Sequence, residues 1–350
     1  MASSHIKPLT GVRFIAAFAV VLLHMHEKIE ALHPWIDDAR SVILWGIQSV
    51  PFFFILSGFI LSHVYFPNFK LADHGHFIWL RFARLWPVHV VTIAGLVLYV
   101  GCLAVVRGYI PSPKYDFTRL FSELTMFRGW YDQSGQWNLP AWSIQAEWFA
   151  YIVLFPLCGV LIRPLRNPWL LAGIAAACFI AHPFVHRVMP GQTGAITCLF
   201  IAGSAVYRLR GVLPNAPGAL LGNGGAIVCL AGLVGQNMTV TYAAFALLIL
   251  GLSYQQGWLA RLLSTRALIY GGEISFALYM SHSVVNVWAW ELAGKLGLGN
   301  TATVTLTLSM ALVVASLVHH LIEVPANKWL RSLPNRKKPA MAAAFSLSSP

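Results

Sequence analysis

Charge, and acidic charge above all, is what this sequence lacks. Twelve Asp and Glu stand against 24 Lys and Arg, and charged residues of both signs make up 10% of 350 residues. An ordinary soluble domain carries about 25%. With 57% hydrophobic residues and a mean hydropathy of +0.66, too few charges are present to solvate a globular surface, which excludes a water-soluble globule. The same apolar content excludes a disordered chain. Cysteine is sparse: Cys102, Cys158, Cys178, Cys198 and Cys229 all fall inside apolar stretches, so they read as small buried residues and not as a disulfide framework. There is no phosphate-binding Gly-rich loop ending in Lys-Ser/Thr, no His-Glu-x-x-His or Cys-x-x-Cys metal spacing and no Gly-x-Ser-x-Gly elbow. ATP-driven transport and serine-triad hydrolysis therefore lack support, and no metal site is expected.

What is present is apolar sequence in long runs. A membrane-crossing helix needs roughly 20 mostly apolar residues. Ten candidate segments meet this pattern, at 8–27, 42–66, 79–106, 139–162, 168–187, 193–207, 218–235, 239–257, 267–291 and 299–323. The expected fold is an all-α integral membrane bundle of about ten transmembrane helices, forming one membrane domain over 1–331. A basic, then Ala/Ser-rich tail at 332–350 reads as disordered. The first segment has the basic start of a secretory signal but no small-x-small cleavage site, and it ends in His24-Met25-His26-Glu27-Lys28; the membrane reading is preferred.

The net charge of +12 is not a nucleic-acid footprint, because the cations fall in short clusters between apolar segments. If the N-terminus is cytoplasmic and the segments alternate, 16 of the 24 Lys and Arg lie inside and eight outside. The inside set includes Lys7, Arg13, Lys70, Arg163, Arg166, Arg208, Arg210, Arg261 and Arg266. Both termini are then cytoplasmic by the positive-inside rule. The longest non-helical stretch, 107–138, falls on the outer face. Its Trp130, Tyr131 and Trp137 suit either an interfacial aromatic belt or a surface that touches sugar, the belt being the more ordinary reading.

Ionisable groups inside a span cost free energy, so each needs a reason. Arg13 and His24 are eleven residues apart; at 100° per residue they share a helix face within about 20°, separated by about 16 Å along the axis. An imidazole suits general-base work near neutral pH, while a satisfied buried His and an interfacial Arg fit the spacing equally. Ser57-Gly58, in the second segment, permits close helix approach or exposes backbone to a ligand. Arg81 and Arg84, one turn apart, either anchor at headgroups or hold phosphates bidentately. Ser143 and Glu147 share a face at i,i+4, and the carboxylate needs a partner, such as a His to orient or an Arg to neutralise. Ser275, Tyr279, His282 and Asn286 form one polar stripe that must face protein or a cavity, with Glu273 at its inner end. Glu323, near His319 and His320, reads as a structural partner for Lys328 or for an inner-loop Arg.

Taken in order, these segments resemble the acyltransferase 3 family of polytopic membrane acyltransferases. LTGVRFIAAFAVVLLH (9–24) carries the family's Arg-x10-His spacing at Arg13 and His24. FFFILSGFIL (52–61) is similar to its second-helix motif, RFAR (81–84) to its Arg-x-x-Arg, AWSIQAEW with Tyr151 to its Trp-Ser-Leu…Glu…Tyr helix, ISFALYMSH (274–282) to its Ile-Ser-Tyr…Leu-Tyr…His, and EVP (323–325) to its closing Glu-x-Pro. The resemblance spans about 8–330. Three positions depart from it: Trp148 stands where a second acidic residue is frequent, Phe276 where a Tyr is usual, and Ser281 where a Trp precedes the His. The hydrolase-like outer domain of some members is not expected.

The resemblance implies transfer of an acyl group, most often acetyl, from cytoplasmic acyl-CoA to a glycan hydroxyl, at the inner (cytoplasmic) membrane. Acetyl-CoA would be a co-substrate, with no permanently bound cofactor. The expected partners are the lipid bilayer, acyl-CoA, a glycan or lipid-linked saccharide acceptor and polysaccharide-assembly proteins, with no nucleic acid. His24, Glu147 and Arg13 would be catalytic, His24 as general base or transient acyl carrier. Arg81, Arg84, Ser57 and Gly58 would bind acyl-CoA, and Ser143, Tyr279, His282 and Asn286 would line the cavity or the acceptor site. The rival reading is a transporter or flippase of a glycan or small molecule without acyl chemistry, and a third is a structural partner in a polysaccharide assembly.

Overall fold

A computed structural model describes residues 5–26, 29, 45–108, 115–132 and 136–333. Lys28, Arg40, Lys114, the start of the second segment at 42–44 and the tail from 334 lie outside the described residues. The described chain is all helix and connections, with no strand among those residues.

Among the described residues, each of the ten apolar segments lies mainly on helix. The helices are α1 (Lys7–Leu23), α2 (Ser49–Tyr65), α3 (His74–Arg107), α4 (Ala141–Leu161), α5 (Pro168–Val188), α6 (Thr193–Val212), α7 (Gly218–Val234), α8 (Met238–Ser253), α9 (Gly257–Leu263), α10 (Arg266–Lys295) and α11 (Asn300–Ser332). Length and composition separate them. Among the described residues, six helices are long and apolar enough to cross a membrane, and seven if the bent α8–α9 pair is one span. The α1 and α7 helices have 17 residues each, roughly 26 Å at 1.5 Å per residue, against a hydrocarbon core of about 30 Å. The segment expected at 239–257 does not continue straight: α8 stops at Ser253 and α9 leaves at 83°, after Gln255 and Gly257 adopt positive φ. By contrast α3 runs 34 residues through Pro87, about 51 Å, so its first turns, with Trp79, Arg81 and Arg84, extend past a hydrocarbon thickness.

Backbones approach closely where glycine permits. A Cβ on Gly58 would lie 2.1 Å from the Phe200 carbonyl oxygen, and one on Gly203 would lie 2.0 Å from that of Ile55. These two positions let α2 and α6 cross with almost no side-chain spacer, as small residues do in membrane bundles. The connections at one end of the bundle are stitched to one another by arginine. Arg163 Nε donates to the Phe66 carbonyl at 2.8 Å, Arg208 to that of Leu165 at 2.9 Å and Arg210 to that of Ser253 at 3.3 Å. Arg81 and Arg84 lie at this same basic end of the bundle.

At the opposite end, the connection after α3 turns some of its aromatic rings inward and leaves others exposed. Trp137 is buried against Tyr115 and Phe117, and its indole donates to the Asp116 carbonyl at 2.9 Å. Trp130 donates to the Gln145 carbonyl at 3.0 Å, while Phe117, Phe121, Phe127 and Tyr131 are exposed. The fold of this connection centres on buried Glu123, which accepts from Arg128 and from Gln145 of α4. Arg128 also grips Asp132 at 3.0 Å. Burial pushes the Glu123 carboxyl above the ordinary carboxylate range, with Arg128 pulling the other way.

Candidate active site

A cavity of about 270 Å³ opens among α1, α2, α3, α4 and α10. Its polar lining is Arg13, Ser57, Arg81, Arg84, Ser143, Glu147, Tyr151, Ser275 and Tyr279. Residues far apart in sequence reach it because each helix turns its sparse polar face inward, away from lipid.

The centre of the cavity is a carboxylate. Ser57 Oγ donates to Glu147 Oε1 at 2.6 Å, and the Tyr151 side chain interacts with both Glu147 and Ser57. Arg13 is partly buried beside them and feels the charges of Glu147, Glu323 and Arg84. Tyr151 lies in a π-helical turn, Ala150–Leu154, within α4; the widened turn changes the facing of the residues it carries, and such bulges recur at functional sites. A second π-turn, His319–Glu323 in α11, brings His319 Nδ1 within 3.0 Å of Glu323 Oε2. Glu323 is buried and also forms an ion pair with Arg84. Its partners are therefore Arg84 and His319.

The two RFAR arginines are held in place. Arg81 donates to the Tyr65 hydroxyl at 2.8 Å and lies over the Tyr65 ring at 5.3 Å. The Arg84 guanidinium lies 5.6 Å from the centre of the Phe276 ring, so the residue that departs from the family pattern supplies a cation-π face. Trp148, the second departure, is an apolar core residue packed near Phe82 and Tyr151. The third, Ser281, is buried with its hydroxyl unpartnered.

The polar stripe of α10 divides. Ser275 and Tyr279 line the cavity, whereas His282 and Asn286 are buried further along the helix. Tyr279 closes the cavity at this end: its hydroxyl meets Ser143 Oγ at 2.8 Å and donates to the Pro140 carbonyl at 3.3 Å. Beyond it His24 and His282 meet, with ring centres 5.0 Å apart, and Tyr279 lies 6.0 Å from His282. His24 follows directly after α1, and its Nδ1 bonds the Val20 carbonyl at 2.9 Å. A carbonyl only accepts, so in the neutral ring Nδ1 carries the proton and Nε2 keeps its lone pair. His282 is oriented in the same way, by the Tyr279 carbonyl at 2.6 Å. Backbone carbonyls, and not Glu147, orient both imidazoles.

The structure thus brings Arg13, Ser57, Arg81, Arg84, Ser143, Glu147 and Tyr279 around one cavity, pairs His24 with His282 behind Tyr279, and sets Gly58 away from the cavity against α6. Sequence reasoning missed Tyr65, the partner of Arg81, and gave Tyr151 no site role. The signal for Tyr151 was its i,i+4 spacing from Glu147; Tyr65 carried none, because its partner comes from another helix.

The family model Acyl_transf_3, described as an acyltransferase domain, matches residues 6–320. The chain belongs to the acyltransferase 3 family. Across 96% of its length it is 26% identical to the acyltransferase MdmB of Streptomyces mycarofaciens, covering 94% of that protein. It is 22% identical over 93% of its length to the peptidoglycan O-acetyltransferase OatA of Listeria monocytogenes, of which it spans 56%. A shorter match, 35% identical over 32% of the chain, is to protein 2 in the picA locus of Rhizobium radiobacter, with 53% of that protein covered. No solved structure matches. Family membership and the apolar helices together make this a multi-pass membrane acyltransferase.

Proposed function

We propose that this acyltransferase moves an acetyl group from acetyl-CoA, entering at the basic end of the bundle, to a hydroxyl of a cell-envelope or exported glycan, and that the basic end faces the cytoplasm across the inner membrane. The observation that carries this reading is the one cavity that joins Arg81 and Arg84 at its mouth to the Glu147 centre and stops at Tyr279, directly before the His24–His282 pair. A thioester with an anionic nucleotide tail suits that order of groups. The phosphates sit among guanidiniums, which bind them bidentately, and the slim pantetheine arm passes Ser57 and Glu147. Arg13 balances the Glu147 charge.

Chemistry takes place where Tyr279 divides donor from histidine. Rotation of the Tyr279 side chain away from Ser143 opens the cavity to His24. The acceptor hydroxyl arrives from the opposite end, where His24 is half-buried, and gives its proton to His24 Nε2. Its oxygen adds to the thioester carbonyl, the C–S bond breaks, and the departing thiolate takes the proton back from the imidazolium. The products are the ester and free coenzyme A thiol. Asn286, one turn beyond His282 and with its Oδ1 unpartnered, offers an acceptor for a sugar hydroxyl. The glycan assignment is supported by the relative named as a peptidoglycan O-acetyltransferase.

The test uses purified protein in bilayer nanodiscs with acetyl-CoA and short glycan acceptors. Thiol release is followed with a thiol reagent, and the acceptor mass is measured for an added acetyl group. The wild type releases thiol in step with ester formation, and His24→Ala, with an unchanged melting curve, loses both by at least a hundredfold. Full turnover by His24→Ala removes the imidazole from the step. Absence of thiol release with every acceptor favours a transporter.

A further inference from the structure

A second basic pocket lies at the same end of the bundle as Arg81 and Arg84, separate from the cavity above. It encloses about 400 Å³ and is lined by Phe66, Pro67, Arg163, Pro164, Arg166, Tyr207 and Arg208. Nothing in the acyl-transfer reading uses it. A run of packed rings stands between the two. Phe77, under Arg81, stacks on Phe155 at 4.2 Å; Phe155 meets Phe66 at 5.8 Å, and Phe66 meets Tyr207 at 6.0 Å.

Among the described residues, no acidic side chain lines this pocket. At the first cavity, Arg13, Arg81 and Arg84 share the neighbourhood with Glu147 and Glu323. Here the three stretches that build the walls, 60–70, 160–170 and 203–213, contain no Asp or Glu, and the lining holds three guanidiniums. Two of these are fixed by the backbone: Arg163 Nε donates to Phe66 and Arg208 Nη2 to Leu165. Each of those bonds uses one donor and leaves the rest of the fork free to face a ligand. Arg208 Nε is buried without a hydrogen-bond partner. Arg166 is exposed at the rim. Clustered cations with spare donors at a membrane edge cost free energy unless an anion completes them, and a tetrahedral phosphate is the anion whose oxygens match two converging guanidiniums.

We propose that this pocket binds a phosphate group, held by Arg163 and Arg208 with Arg166 at the opening, at a site distinct from the donor cavity. Two sources carry that chemistry, a phospholipid headgroup and a soluble phosphate ester, and one experiment separates them. The full chain, purified with dioleoyl phosphatidylglycerol and dioleoyl phosphatidylcholine in equal amounts, is measured by native mass spectrometry for retained lipid. It is then titrated with adenosine 3′,5′-bisphosphate. The wild type retains phosphatidylglycerol over phosphatidylcholine, and the Arg163→Gln/Arg208→Gln variant retains at least tenfold less. Arg187→Gln, an exposed change at the far end of α5, retains the wild-type amount. Displacement of the lipid by the bisphosphate assigns the pocket to soluble phosphate esters, and resistance to displacement assigns it to the headgroup. If the double variant melts like the wild type and still holds phosphatidylglycerol within twofold of it, the proposal is overturned. Should the double variant fail to fold, Arg166→Gln, which removes a rim side chain only, is expected to lower retention severalfold; unchanged retention there is equally fatal.

Discussion

Replacing Glu323 with Gln removes the carboxylate that joins Arg84 to His319, at almost no cost in volume. Glu323 is 1% exposed, and the Arg84 side chain keeps 28% of its surface in contact with solvent. Breaking a fully buried ion pair by deleting one partner costs about 3–5 kcal/mol, and exposed pairs contribute about 0–1 kcal/mol. A pair with one partner sealed and the other a quarter open falls between, at about 2–3 kcal/mol. With an unfolding entropy of about 2.1 cal/mol/K per residue, a chain this long shifts its Tm by roughly 1.4 °C per kcal/mol, so Glu323→Gln lowers Tm by about 3–4 °C. The measurement is a double-mutant cycle with Glu323→Gln, Arg84→Gln and both, followed by tryptophan fluorescence in one detergent. Because the two charges are each other's compensation, the double variant is expected to lose about 2 kcal/mol less than the sum of the singles. Strictly additive shifts would refute the coupling, and with it the idea that Glu323 and Arg84 neutralise each other. A kinetic corollary is that Glu323→Gln, which leaves Arg84 free for the donor phosphates, lowers the KM for acetyl-CoA in the protein that remains folded.

Three further outcomes follow from the geometry. Gly58→Ala puts a methyl group against the Phe200 carbonyl, where overpacking costs about 1–3 kcal/mol; the Tm falls while the KM for donor stays unchanged, and an altered KM would return Gly58 to the donor site. Tyr279→Phe deletes the 2.8 Å bond to Ser143; with the closing contact weakened, hydrolysis of acetyl-CoA without acceptor rises severalfold, and a rate equal to the wild type would show that this contact does not hold the cavity shut. Arg128→Met leaves Glu123 buried without its guanidinium. Burial already raises that carboxyl's proton affinity in the folded state, so stability is retained at acid pH, where Glu123 is protonated in both states. It is lost as the pH climbs above the ordinary Glu range. Melting curves at pH 5 and pH 8 should show the variant's deficit growing with pH, and a deficit independent of pH would exclude an ionised Glu123 as its cause.

Much of the site can be read along single helices. Ser275, Tyr279, His282 and Asn286 are spaced so that one face of one helix carries them all, and an apolar solvent leaves that face nowhere to go but inward; they are buried as the spacing requires. Ser143 and Glu147 follow from the same rule, as do the helices themselves, since apolar runs in this composition have no other stable form. What spacing cannot supply is the partner on another chain segment. Tyr65 beneath Arg81 and Glu323 against Arg84 are contacts made across a packed bundle, and the Val20 carbonyl that orients His24, one turn back, is a backbone group that a side-chain pattern does not record. The loop aromatics illustrate the same limit: Trp130 and Trp137 have the composition of an interfacial belt, and it is buried Glu123, drawing Arg128 and Gln145 together, that turns them inward.

Alone, then, the chain's composition and periodicity determined a helical membrane bundle and the polar stripes that had to be hidden, because burial in lipid penalises every unsatisfied polar atom wherever it falls; the acyltransferase reading came from the ordered motifs that resemble a family. Tertiary structure decided how those stripes were shared out: seven of the anticipated site residues around one cavity, two histidines behind a tyrosine, and one glycine given to packing. Two π-turns and a helix bend of 83° set the facing of Tyr151 and Glu323 and the path after Ser253. Such local departures from the regular helix are stabilised by contacts with other helices, which a pattern read along one helix does not contain.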